Sequence, residues 1–206
     1  MPQKILNSKV MKKFILINFG LIIIIFFSCT NPFSTREPEK PDISGGGQPL
    51  NDLQTDPDSL ISKLRKSFTS KNSTDYQDCL SDPALTGIVF VFVPESREIT
   101  RFSNWSRQDE IFYFNNLINR EELNNIEINF DIDKRFQLAA DTVETTLSYT
   151  IELQFRTETL NYQGQCILRT LRSPAALWYI YYWEDLRLNA NDQSDSWSTL
   201  KADYRF

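Results

Sequence analysis

Two stretches of period-two alternation constrain this chain most. In residues 125–138, NIEINFDIDKRFQL, the apolar Ile126, Ile128, Phe130 and Ile132 alternate with Glu127, Asn129, Asp131 and Asp133. In residues 144–157, ETTLSYTIELQFRT, Leu147, Tyr149, Ile151, Leu153 and Phe155 alternate with Thr146, Ser148, Thr150, Glu152, Gln154 and Arg156. Successive side chains of a strand point to opposite faces, so each stretch has one buried and one wet face, the pattern of an antiparallel sheet. Residues 160–172 (LNYQGQCILRTLR) and 176–188 (ALWYIYYWEDLRL) read as two further strands. Within the first of them Gly164 marks a bulge that bends the sheet.

Helical spacing dominates the part before these strands. Residues 56–72 place Leu60, Ile61, Leu64 and Phe68 on one face, with Lys63, Arg65 and Lys66 off it and Asp58 or Ser59 as cap. Residues 73–83 predict a short second helix in which Tyr76, Cys79 and Leu80 share a face and Pro83 ends the run. TGIVFVFVP, residues 86–94, predicts a strand whose apolar character on both faces implies burial on both sides. Residues 103–121 predict a third helix, with Ser106 and Asp109 as a capping box and Ile111, Phe114, Leu117 and Ile118 as its inner stripe. The order is helix, helix, strand, helix, then four long strands. The economical way to bury these faces is an α+β fold, a curved antiparallel sheet with about three helices on its concave side.

The N-terminus reads as an address. Residues 14–27 are apolar except for Asn18, too short for the about 20 residues of a bilayer-spanning helix but right for the core of an export signal. Lys4, Lys9, Lys12 and Lys13 precede this region, and no acidic residue occurs before Cys29. The sequence FFSC resembles the lipobox of bacterial lipoproteins, with Ser28 before the cleaved bond and Cys29 as the lipidated new N-terminus. Two or more acyl chains on such a cysteine make a stable anchor, whereas one is marginal. Residues 1–28 are then a signal peptide, and Met11 in MKKFILINFG looks like a natural start. Thr30 stands where some lipoproteins carry an Asp that holds them at the inner membrane, which favours the outer membrane of a bacterial cell envelope.

Residues 29–56 hold Pro32, Pro38, Pro41, Pro49, Gly45, Gly46 and Gly47, with few apolar residues, and read as a flexible tether. Such a chain reaches about 30 Å on average. Four of the 22 basic residues and none of the 27 acidic ones precede Cys29, so the chain beyond it carries nine more acids than bases. That balance argues against nucleic acid and against charge-driven docking to anionic lipid, leaving acylation as the membrane contact. Cys79 and Cys166 remain, as two buried free thiols or as one disulfide. The chain has no histidine.

The last strand, WYIYYWED, carries Trp178, an apolar Ile180 two later, Trp183 three after that and Asp185 two further on. This spacing resembles the nuclear transport factor 2-like fold, shared with ketosteroid isomerase and SnoaL-type proteins. The tail DSWSTLKADYRF, with Trp197, Leu200 and Lys201, is similar to the close of lipoproteins of this kind. The resemblance covers residues 57–206 and implies a cone whose open end can form a pocket; a cystatin-like sheet is the alternative. It implies no activity, since this fold hosts enzymes, ligand binders and scaffolds.

An isomerase on such a fold needs a carboxylate base and an oxyanion donor in an apolar cavity. Asp109 reads as a helix-start charge; Asp131, Asp133 and Glu152 fall on wet strand faces; Asp185 reads as a structural hydrogen-bonding group. Tyr149, Tyr179, Tyr181 and Tyr182 could donate, but aromatic strands are usually packing. No residue is assigned a catalytic role. No metal or cofactor is expected: without histidine a metal site needs clustered carboxylates or thiols, and no phosphate or dinucleotide motif occurs. Tyr149, Trp178, Trp183 and Asp185 are the candidate pocket or fold-signature residues. The reading is a lipid-anchored, non-catalytic module that binds a small apolar ligand or an envelope protein, with a homodimer as a further expectation. The alternative is an isomerase or lyase using a pocket carboxylate and a tyrosine.

Overall fold

The computed structural model describes residues 53–189 and 191–206, which belong to one compact unit of the chain. The signal peptide, Ser28, Cys29, Met11 and nearly all of the tether lie outside the described residues.

Each helix starts where a side chain caps it. Helix α1 (Pro57–Thr69) begins at Asp56, whose carboxylate accepts the Ser59 N–H at 2.8 Å while Ser59 Oγ accepts the Asp56 N–H. Helix α2 (Ser73–Cys79) is capped by Asn72, and the single turn α3 (Pro83–Thr86) by Asp82 and then Gly87 at φ +74°. Helix α4 (Arg107–Ile118) has the Ser106–Asp109 capping box. A last helix, α5 (Trp197–Asp203), follows the final strand and is capped by Ser196 with Thr199. These caps satisfy the backbone donors that every helix start leaves unpaired.

The sheet contains β1 (Val91–Val93), β2 (Leu123–Ala139), β3 (Thr142–Phe155), β4 (Thr159–Arg172) and β5 (Trp178–Leu186), in the spatial order β1-β5-β4-β3-β2. The four long strands form an antiparallel meander, and β1 joins β5 in parallel, so the sheet is mixed rather than purely antiparallel. The inward residues Leu147, Tyr149, Ile151 and Leu153 of β3 form one core with Leu60, Leu64 and Phe68 of α1, Phe114 and Leu117 of α4, and Trp197 and Leu200 of α5. Among the described residues no helix is long and apolar enough to cross a membrane.

Four expectations are corrected. The β1 segment is not buried on both sides: Phe90 and Phe92 face the core, while Val89 and Val91 are exposed, because β1 is an edge strand. Lys63 is not on a wet face but buried, with its ammonium 3.0 Å from Gln54 Oε1, 3.3 Å from Asp78 and 3.8 Å from Asp75. Gly164 is no bulge; it pairs in register with Tyr149. A Cβ there would lie 2.5 Å from Tyr149 Oη and 2.7 Å from the Leu186 carbonyl oxygen, so the glycine makes room for a phenol. The alternation of β2 does not keep one face buried along its length. An irregularity between Ile132 and Lys134 inverts the strand, and Phe136 and Leu138 are exposed.

Candidate functional site

The inward residues of β5 depend on an extra residue. Arg169 pairs with Tyr182 and Thr170 with Ile180, leaving Tyr181 unpaired as a bulge. In an unbroken strand Trp178 and Ile180 would face away from Trp183 and Asp185. With the bulge all four are buried, and the two-three-two spacing of the sequence matches it. Trp183 and Asp185 are fully buried and meet Tyr149 and α5. Trp178 sits at the other end of β5, where its N–H donates to the Gln54 carbonyl, away from that group.

Asp185 has three donors. Tyr149 Oη donates to Oδ1 at 2.7 Å, and the Ser198 N–H and hydroxyl both donate to Oδ2 at 2.6 Å. Tyr149 Oη accepts the Trp197 N–H at 2.7 Å in return. Ser198 Oγ also accepts the Glu95 N–H at 2.9 Å, which ties the exit of β1 to the same point. The two side chains therefore cap the start of α5 from the sheet. Burial pushes the Asp185 carboxyl up, against the lowering effect of Ser198, Tyr149 and, more weakly, Lys201. Burial and the neighbouring carboxylate push the Tyr149 phenol up as well.

Helix α5 carries its own polar load into the core. Lys201 is fully buried, with Nζ 2.6 Å from Glu110 Oε1 of α4, which is also fully buried. The approach is close but poorly angled, so the ammonium has a counterion without a well-formed hydrogen bond. Its other contacts are aromatic: Nζ lies 3.7 Å from the ring centre of Phe92 and 3.8 Å from that of Trp183. Glu110 also accepts Tyr76 Oη at 2.5 Å and Trp105 Nε1 at 2.7 Å. Burial lowers the Lys201 pKa and Glu110 opposes that shift. Trp197 Nε1 donates to Tyr113 Oη at 3.0 Å, and its ring packs edge-on against Phe68, Tyr149 and Trp183. Trp197, Leu200 and Lys201 of α5 are all fully buried against the sheet and α4.

Cys79 and Cys166 are free, buried thiols, both pushed up by burial. Among the described residues no group of three potential ligands could hold a metal ion. Asp133 accepts Ser148 Oγ at 2.7 Å and Gln165 Nε2 at 2.9 Å on the outer face of the sheet.

Of the clefts among the described residues, two have side chains of the helices or of the β5 end in their walls. The larger, about 570 Å³, runs between residues 94–99 and the end of β5. Its floor is Glu95, held by Arg187 at 3.0 and 3.1 Å and by Arg97 Nε at 3.1 Å, so its charge is matched. Asp185 borders this cleft, yet its side chain is 0% exposed and turned to α5. The second cleft, about 270 Å³, lies between α1, α2 and the start of α4. Sequence reasoning missed it because its polar lining, Gln54, Lys63, Asp78 and Arg107, comes from four separate segments with no motif spacing.

No protein-family model matches the chain, and no curated protein does. Solved structures do. A conserved protein from Planctomyces limnophilus is 10% identical over 62% of this chain and 89% of that one, with a TM-score of 0.50. An NTF-2 like protein of unknown function from Shewanella oneidensis is 11% identical over 61% and 92%, with a TM-score of 0.45. A ketosteroid isomerase-like protein from Erwinia carotovora atroseptica is 9% identical over 64% and 93%, with a TM-score of 0.47. At such identities the likeness concerns fold alone. The α+β architecture itself is established by the element order and sheet topology described above.

Proposed function

We propose that this protein is a lipid-anchored lipoprotein of the bacterial cell envelope, at the outer membrane, whose folded domain is a non-catalytic binding module for a ligand or an envelope protein. The observation that carries the non-catalytic part is the use of Asp185 and Tyr149. A carboxylate beside a tyrosine is the pair an isomerase would need, but here three donors and one backbone N–H occupy both side chains, and α5 fills the space in front of them. A general base must reach the proton it removes, and a fully buried carboxylate already holding three donors offers no such approach. The anchor rests on the N-terminal sequence: lysines, a short apolar run, then Ser28 and Cys29.

The test is the intact mass of the protein recovered from bacterial membranes. The expected mass is that of the chain from Cys29 plus acyl chains, and Cys29→Ser should abolish acylation and membrane recovery. A full-length mass, or a Cys29→Ser protein still held at the membrane, would show an uncleaved signal anchor instead. Native mass spectrometry of the same material reads out a retained ligand or a dimer.

A further inference from the structure

We propose that the α3 turn and the segment after it, through Leu85, Ile88 and Val89, form a membrane-contact surface that dips into the headgroup region of the bilayer. This rests on the reading of the N-terminus as a membrane anchor and adds a second contact, made by the folded domain itself. Three large aliphatic side chains are exposed within five positions: Leu85 by 56%, Ile88 by 42% and Val89 by 64%. No charged residue occurs between Asp82 and Glu95. The backbone beneath them is held in place. Asp82 caps α3, Ser81 Oγ donates to the Ile88 carbonyl at 2.7 Å, and the Ile88 N–H donates to Thr86 Oγ1 at 3.2 Å. The exposure is therefore built into the fold, and neighbouring exposed aliphatics without charge mark a contact with protein or with membrane.

The place where the chain enters the domain selects the membrane. Gln54 is buried and fixed from three sides: its Nε2 donates to the Asp78 carbonyl at 2.7 Å, its Oε1 accepts Lys63 Nζ at 3.0 Å, and its carbonyl accepts the Trp178 N–H at 2.8 Å. Leu53, just before it, walls the same cleft as Leu85 and Leu177. The anchored end of the domain and the exposed aliphatics thus share one side. A tether of about 30 Å average reach presents that side to the bilayer first.

Charge is distributed in the same sense. The β4–β5 turn beside Leu177 exposes Pro174, Ala175 and Ala176. The opposite end of the sheet, where β3 turns into β4 and the chain enters β2, exposes Arg120, Glu121, Glu122, Arg156 and Glu158. An acidic domain is repelled by anionic lipid, so it approaches a bilayer best through an uncharged side. Apolar side chains of a peripheral surface sit about 5–10 Å into the boundary between headgroups and acyl chains. The contact is apolar rather than charge-driven.

The test is nitroxide labelling of full-length protein recovered from membranes and reconstituted in vesicles of phosphatidylethanolamine and phosphatidylglycerol. Val89→Cys places the label on the proposed surface, and Thr157→Cys, in the exposed β3–β4 turn, places it at the far end. The parent, labelled in parallel, subtracts any signal from native thiols. The Val89 label should be open to oxygen and shielded from a water-soluble nickel chelate, and the Thr157 label should be open to the chelate. Adding Leu85→Asp, an exposed position, should abolish the shielding at Val89 while the protein stays in the membrane fraction. The proposal is overturned if the chelate reaches the Val89 label as readily as the Thr157 label. It is equally overturned if the Val89 label is shielded from both oxygen and chelate, the signature of a protein partner or a second copy. Either result, on protein that stays with the membrane, leaves the anchor standing. Failure of the anchor reads differently, as loss of the full-length protein from the membrane fraction, and it removes this contact as well.

Discussion

Strand β5 carries one bulge and β2 three irregularities, of which the middle one, at 132–134, is met by its sequence in the opposite way. In β5 the apolar spacing changes at the extra residue Tyr181, from Trp178 and Ile180 to Trp183 and Asp185, so the inner face stays inner. In β2 the even-numbered apolar residues run straight through the irregularity at 132–134. Ile126 and Ile128 are buried, Ile132 is already half-exposed as the strand runs off the core, and Phe136 pairs with Glu144 and stands with Leu138 in solvent. The opposite face of that segment carries Arg135, which reaches Thr145 and forms a two-pronged pair with Asp58. A one-residue shift turns every later side chain to the other face, so a period-two pattern describes burial only up to the next bulge. Where the spacing breaks with the bulge, the strand feeds the core. Where it does not, the strand leaves the core with apolar groups outward.

This contrast can be broken at graded cost. Deleting Tyr181 should have the largest effect: Trp183 and Asp185 would turn outward, α5 would lose its dock, and cooperative unfolding by urea should disappear. Gly164→Ala comes next, because a methyl meets both the Tyr149 phenol and the Leu186 backbone; a loss of about 3 kcal/mol is expected in urea titration. Asp185→Asn should cost about 2 kcal/mol, since one carboxylate oxygen becomes an amide donor facing groups that themselves donate. The same variant has a pH signature. Burial raises the Asp185 pKa in the fold, so the folded state holds its proton to higher pH than the unfolded chain does. That contribution is full below the unfolded value near 3.8 and is lost as pH rises through the folded value. The stability gap between the parent and Asp185→Asn should therefore be wider at pH 4 than at pH 7. The smallest effect belongs to β2: Phe136→Ser and Leu138→Ser should each stay within about 0.5 kcal/mol of the parent.

The long helices and strands were legible because their burial follows simple periods, but two helix ends were not: α1 is capped by Asp56 rather than Asp58 or Ser59, and α2 stops at Cys79, with Pro83 opening α3. Ser106 with Asp109, and the odd-numbered residues of β3, sit as their spacing implied. What was not legible depends on partners distant in sequence. Helix α5 is seven residues long, and its buried face includes Lys201, which no hydrophobic pattern would count. Lys63 and Glu110 are likewise charged residues whose burial rests on counterions from other elements. The edge position of β1 follows from topology, since its own residues are as apolar as those of an interior strand. Gly164 signalled an irregular backbone, yet its role is to admit a side chain from the neighbouring strand. Asp185 was readable as a hydrogen-bonding residue, but its chief partners, Ser198 and Tyr149, become visible only once α5 is folded against the sheet.

The central claim is that α5 is a permanent part of the core, docked through Tyr149 and Asp185, rather than a lid over a pocket. Native-state hydrogen exchange at the Trp197 and Ser198 amides tests it most directly, because these two N–H groups make the docking bonds. The account predicts that both exchange only through global unfolding, with the same free energy and urea dependence as core amides of β3. Exchange through a local opening of lower free energy, with β3 still protected, would contradict it and make the Tyr149–Asp185 pair accessible to a substrate.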